Sequence, residues 1–220
     1  MDKMSQGLVL WGRSSSANVQ KAVWTLRELQ LAFEHREVGG RFGGLGDPAF
    51  RALNPNGLVP VLQDGELTLW ESHAIVRYIA AAYGEGSIWP RDVNERAAVD
   101  QWTDWTATTF QPAWLGLFWA LVRTPPEQHN HAAIDGSHRG TLAALHILEG
   151  VLLKQNYLGG EELSYADIVA GVALYRWFTM PVLRPSMPGV EHWYALLQQR
   201  RAFRSAVMVD YSELVGRLEF

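Results

Sequence analysis

The chain has 220 residues, 48% hydrophobic and 19% charged, with a formal net charge of −4. That is a globular composition able to bury a sizeable core, and no basic stripe is present to hold nucleic acid through its phosphates. Cysteine is absent, which excludes disulfides, thiolate zinc sites and a cysteine nucleophile, so any thiol chemistry must come from a ligand.

Met1 to Gly7 is polar and lacks the apolar core of a signal peptide, and no apolar run approaches the ~20 residues of a membrane span. A soluble, cytoplasmic protein is the expectation. Leu8-Val9-Leu10-Trp11 reads as a buried strand ended by Gly12. Arg13, three serines (Ser14, Ser15, Ser16), Ala17 and Asn18 follow, a cluster rich in capping residues. Val19, Ala22, Val23, Leu26 and Leu29 then recur at helical spacing. Phe33 to Val38 reads as a second strand. The glycine-rich stretch from Gly39 to Gly46 reads as a loop, and its glycine spacing fits no dinucleotide fingerprint. Asn54-Pro55-Asn56-Gly57 marks a turn. Leu58 to Leu62 and Leu67 to Trp70 form a hairpin around Asp64-Gly65, and Glu71-Ser72 opens a helix with an apolar face of Ala74, Ile75, Tyr78, Ile79 and Ala82.

Beyond a Gly- and Pro-bearing connector the pattern is helical. Asn94 to Arg123 is long enough for one extended helix that Pro112 should kink or break. Ala132 to Gln155 is helical, and Ser164-Tyr165-Ala166-Asp167 is a capping box ahead of the apolar run Ile168 to Phe178. Pro188-Gly189 precedes a last amphipathic helix through Leu197. Ten tryptophans, several between Trp102 and Trp119, are core or interface anchors, or walls of an apolar pocket.

Three motifs in order carry a resemblance that spans nearly the whole chain: Leu10-Trp11-Gly12-Arg13 running into Asn18-Val19-Gln20-Lys21, Asn54-Pro55-Asn56-Gly57-Leu58-Val59-Pro60-Val61-Leu62, and Trp70-Glu71-Ser72-His73-Ala74-Ile75-Val76-Arg77-Tyr78. Together they resemble the glutathione S-transferases, and Arg123-Thr124-Pro125-Pro126-Glu127 is similar to a bacterial branch known from enteric bacteria. The resemblance implies an α/β plus all-α fold. A thioredoxin-like glutathione-binding domain would occupy residues 1–83, a linker 84–91, and an all-helical C-terminal domain 92–220. It also implies a homodimer that uses glutathione and a small electrophile, without a metal. His129-Asn130-His131 has no third ligand at helical spacing, in keeping with that.

Glutathione chemistry requires a thiolate. Lowering a thiol pKa from about 8.5 to ~6.5 takes roughly 2.7 kcal/mol, which a helix N-terminus and one hydrogen bond can supply. Ser16 falls on the activating hydroxyl of serine-using branches and Asn18 on an asparagine of disulfide-reducing branches; Ser15 and Ser14 stay open, and plain helix capping explains one or two of the four. An X–Pro bond is cis in only ~5–6% of cases, so the residues alone read Val59-Pro60 as trans. The resemblance implies cis, with the Val59 backbone holding the cysteinyl unit. Glu71 and Ser72, at a strand-to-helix junction, suit the γ-glutamyl end; alone they read equally well as a cap and a solvated acid. Arg41 is a candidate for the glycyl carboxylate. Arg13, Trp114, Phe118, Arg123 and Trp177 are candidates for the electrophile pocket, Arg123 either as the cation for an acidic co-substrate or as a helix-end charge. Conjugation, glutathione-dependent reduction or dehalogenation, and a non-catalytic dimeric scaffold of the same fold all fit this sequence.

Overall fold

The computed structural model describes residues 7–218; the polar stretch Met1–Gln6 and the last two residues lie outside the described residues. The N-terminal part holds a four-stranded sheet in the order β2-β1-β3-β4, built from β1 (Leu8–Trp11), β2 (Phe33–Arg36), β3 (Val61–Asp64) and β4 (Leu67–Trp70). β1 runs parallel to β2, with Leu8 opposite Phe33, and antiparallel to β3, with Leu10 opposite Leu62. Period-two alternation explains the two faces. Leu8 and Leu10 are fully buried in the main core with residues of α1 (Ala17–Glu28) and α3 (Ser72–Tyr83). Val61 packs instead with Val38 and Phe50, beside Trp11, in a second small core under α2 (Pro48–Leu53).

Three details differ from the sequence expectation. β2 stops at Arg36, and β3 starts only after Pro60, which cannot donate to the ladder. The stretch read as loop holds a 3₁₀ turn, Gly40–Phe42, and α2 follows it with Asp47 as its N-cap and Pro48 in its first turn.

The rest is helical: α4 (Val93–Trp105), α5 (Gln111–Phe118), α6 (His131–Leu152), α7 (Tyr165–Thr179), α8 (Pro188–Gln199) and α9 (Arg201–Val207). The expected long helix over 94–123 is divided by two π-helical turns, Thr106–Phe110 and Trp119–Arg123. Pro112 supplies the reason for the first. It has no N–H, and its ring would meet the carbonyl four residues back, so the wider turn lets Gln111 N–H reach the Thr106 carbonyl instead. α9 was not foreseen; Arg200, in extended conformation, ends α8 and starts α9. α7 is buried on nearly every side, as a helix apolar all round should be, and it packs against α1, α3, α4, α5 and α8. Its N-terminus is the expected capping box. The Asp167 carboxylate accepts from the Ser164 N–H and hydroxyl, the Leu158 N–H and the Trp193 indole.

Candidate functional site

The site begins at the corner between β1 and α1. Gly12 has φ 143°, and a Cβ there would lie 2.4 Å from Val19 Cγ2 and 3.0 Å from Val59, so only glycine fits. The chain then passes through the three serines, which the fold gives three different surroundings. Ser14 is exposed, and its hydroxyl donates to Glu37 at 2.8 Å. Ser15 is buried, with its hydroxyl unpartnered and its carbonyl accepting from Arg176. Ser16 is the N-cap of α1, yet its side chain makes no capping bond. Its half-buried hydroxyl is uncommitted and faces a cavity.

Two further segments converge there. The Val59-Pro60 bond is cis, as the resemblance implied, and Leu58 and Val59 line the same cavity. Glu71, at the head of α3, holds φ 73°, a left-handed conformation that costs an ordinary residue of order 1 kcal/mol or more. Ser72 beside it is buried, and its hydroxyl lies 3.4 Å from Asn18 Oδ1. Ser72 and Asn18 thereby join the starts of α3 and α1, although Pro60, Glu71 and Ser72 are not part of the cavity lining.

Beneath this junction Lys21 is fully buried. Its ammonium donates to Asn18 Oδ1 at 3.0 Å and to Ser72 Oγ at 3.4 Å, meets His73 Nε2 at 2.9 Å, and also bonds Gln111 Oε1. Burial brings its pKa down to about 7, against the opposing pull of Glu71. Burial, then the Lys21 and Arg77 charges, hold His73 down at about 3, so its ring is neutral and accepts from Lys21. Because Lys21 occupies the Asn18 carbonyl, the NH₂ end of that amide is left as donor beside the cavity.

The cavity has a volume of about 500 Å³. Arg13, Ser15, Ser16, Asn18 and Val59 form one wall. Trp114, Leu115 and Phe118 of α5, with Trp119 and Arg123 of the following π turn, form another, and Arg176 of α7 closes the floor. Arg123 is buried and stacks over Trp119 at 3.7 Å, while its Nε donates to the Arg217 carbonyl at 2.8 Å. Burial and the Arg13 charge lower it to about 10. Arg176 lies over Phe118 at 4.4 Å and is likewise lowered to about 10, chiefly by burial.

Among the candidates read from sequence, Arg13, Ser15, Ser16, Asn18, Val59, Trp114, Phe118 and Arg123 therefore meet around one space. Two do not. Arg41 is exposed, 3.7 Å from Glu213 and over the Phe42 ring. Trp177 is buried against His138, its ring 5.8 Å away, and borders a separate shallow hollow beside Arg184; its neighbour Arg176 takes the place expected of it. Sequence reading missed Arg176, Gln111 and the anchoring role of Lys21. The signal for Arg176 was present as the one charge between Ile168 and Phe178, a run too apolar to leave a cation in water. Among the described residues no group of three or more His, Asp or Glu could hold a metal ion, and no helix is long and apolar enough to cross a membrane.

Comparison with known proteins identifies the family. Residues 10–87 match the glutathione S-transferase N-terminal domain and residues 110–200 the C-terminal domain of the same enzymes. The chain is 41% identical to glutathione S-transferase GstB of Escherichia coli, over 93% of this chain and 100% of the relative. A theta class glutathione S-transferase from Xanthomonas axonopodis pv. citri, solved with glutathione bound, superposes with a TM-score of 0.90 at 45% identity, covering 94% of this chain and 99% of that one. Glutathione S-transferase F10 of Arabidopsis thaliana is 31% identical, over 89% of this chain and 94% of its own. With both domains matched and such a relative spanning its length, this chain belongs to the glutathione S-transferase family and is a glutathione transferase.

Proposed function

We propose that Ser16 holds the sulfur of glutathione as a thiolate at the N-terminus of α1, and that a small electrophile meets it in the adjoining cavity. The uncommitted, cavity-facing Ser16 hydroxyl is the observation that carries this reading. Ser14 is spent on Glu37, and the Ser15 hydroxyl, although its residue borders the cavity, has almost no exposed surface, so both yield to Ser16. Asn18 offers a second donor. The backbone of Val59 is the proposed partner of the cysteinyl unit, next to Pro60, and Glu71 with Ser72 takes the γ-glutamyl end. The electrophile would lie against Trp114, Phe118 and Trp119, side by side with the sulfur, so that proximity supplies much of the rate.

In this proposal residues 1–83 bind glutathione, 84–91 connect, and 92–220 shape the electrophile pocket. The same uncommitted donor disfavours a purely structural scaffold. Replacing Ser72 with Ala should weaken glutathione binding by roughly 1–3 kcal/mol, the cost of leaving a charged group short of a donor. Calorimetry returning wild-type affinity from a correctly folded variant would contradict the placement.

A cytoplasmic homodimer completes the reading. Edge strand β4 leaves Leu67 and Trp70 about two-fifths exposed, 40% and 38%, an apolar surface suited to a second copy. Sedimentation at micromolar concentration should give about twice the 24.7 kDa chain mass. A monomer would remove the dimer from the account.

A further inference from the structure

Arg176 stands in the C-terminal half of α7 at 3% exposure, within a helix otherwise almost wholly apolar. A guanidinium withdrawn from water usually faces a carboxylate, because an unpaired buried charge costs several kcal/mol. None of the ion pairs among the described residues includes Arg176. Its Nη2 donates to the Ser15 carbonyl at 2.5 Å, and Phe118 covers its face. Among the described residues, the groups that act on its charge are Tyr211, a phenol, and Arg13 and Arg123, both cations. Arg13 answers to Glu37 and Glu213, and Arg123 donates to the carbonyls of Arg217 and Leu218. Three guanidinium groups thus share one cavity, and among the described residues no carboxylate pairs with Arg176.

We propose that Arg176, flanked by Arg13 and Arg123, binds an anionic group on the electrophile, so that the preferred co-substrates carry a carboxylate a few bonds from the reacting carbon. The inference rests on the transferase reading above. Its length scale comes from Ser15: Arg176 bonds that residue's carbonyl, and the next residue offers the hydroxyl assigned to the sulfur. An anion on Arg176 is therefore separated from the sulfur by about the width of one small ring, and Trp114 and Phe118 provide flat apolar walls for that ring. With an aryl halide, the thiolate lone pair forms the S–C bond and the C–halogen bond then breaks, the halide leaving with the bonding pair. The thiol proton has already passed to solvent, so the leaving group needs no acid.

A matched pair of probes isolates the charge: 4-chloro-3-nitrobenzoate and 4-chloro-3-nitrobenzamide share ring and leaving group. For each, kcat/KM is divided by its spontaneous rate constant with glutathione at the same pH. The wild type should favour the benzoate by roughly tenfold or more, the size expected of a hydrogen bond to a charged group. Arg176→Gln should lower the benzoate-to-benzamide ratio about tenfold, and Arg176→Lys, which keeps the cation, should retain most of it. Because a buried arginine can matter for folding, Arg123→Gln is read alongside and should lower the ratio as well. A wild type that prefers the benzamide overturns the proposal and leaves the transferase reading standing; conjugation of neither probe contradicts both. An unchanged ratio in both glutamine variants, with a raised KM for glutathione, would assign the arginines to the carboxylates of glutathione itself and so overturn it too.

Discussion

Lys21 Nζ lies out of contact with water among Asn18, Ser72, His73 and Gln111, side chains drawn from α1, α3 and α5. Its one ammonium orients the asparagine and the serine that the proposal places on glutathione. The partner ring, His73, is held neutral, since its protonation would set a second cation 2.9 Å from the first. The consequence is a pH dependence of stability. An unfolded imidazole takes its proton near 6.5 and the folded one only near 3, so between these values the unfolded chain binds more protons and stability falls as pH drops. Lys21, near 7 folded against 10.5 unfolded, acts in the same sense at higher pH, with stability rising as pH climbs from 7 toward 10.5. Each group contributes a slope of at most about 1.4 kcal/mol per pH unit. Urea unfolding between pH 4 and 7 should therefore slope less in His73→Asn than in the wild type; parallel profiles would contradict the assignment. At this scale the residue types were legible in the sequence, and their division of labour was not. Three adjacent serines are alike on paper. Only the fold pairs Ser14 with Glu37, buries Ser15, and leaves Ser16 free.

Elements with strong local signals stand where the sequence placed them. α7 is an example, because its capping box fixes the start, where the Asp167 carboxylate accepts from the N–H and hydroxyl of Ser164 as well as from Leu158 and Trp193. Burial raises that carboxyl to about 6 and four hydrogen bonds oppose the rise, so the box is sustained by its donors. α2 escaped because six residues with one buried apolar side chain, Phe50, present no period, even though Asp47-Pro48 is a sound helix start. The two π turns escaped for a different reason. Pro112 announced a break without saying whether the helix would kink, stop or widen, and the fold shows it widened, with Gln111 N–H bonded to the Thr106 carbonyl. Widening matters to function, since the second turn carries Trp119 and Arg123 to the cavity. At Gly171 a methyl group would come within 2.7 Å of Leu197 Cδ1 and 3.2 Å of the Trp24 ring, which shows how closely α7 approaches α1 and α8.

Over the whole molecule, one continuous core runs from the sheet face of β1 through α1 and α3 into α7 and α8. The segments that the proposal gives to glutathione stood out in the sequence because they are local motifs: a strand-to-helix corner, a proline turn and a second helix start. The electrophile half could not, because its walls come from α5, α7 and the segment after α9, brought together only by long-range packing. The central claim is that Ser16 supplies the hydrogen bond that keeps bound glutathione as a thiolate. The ultraviolet absorbance of the thiolate, followed as pH is raised on the glutathione complex, measures it directly. Ser16→Ala should move that titration upward by about one unit, equal to the ~1.4 kcal/mol of one hydrogen bond, with little change in glutathione affinity. A curve that stays in place for Ser16→Ala and moves for Asn18→Ala or Ser15→Ala would contradict the account and give the sulfur to that neighbour.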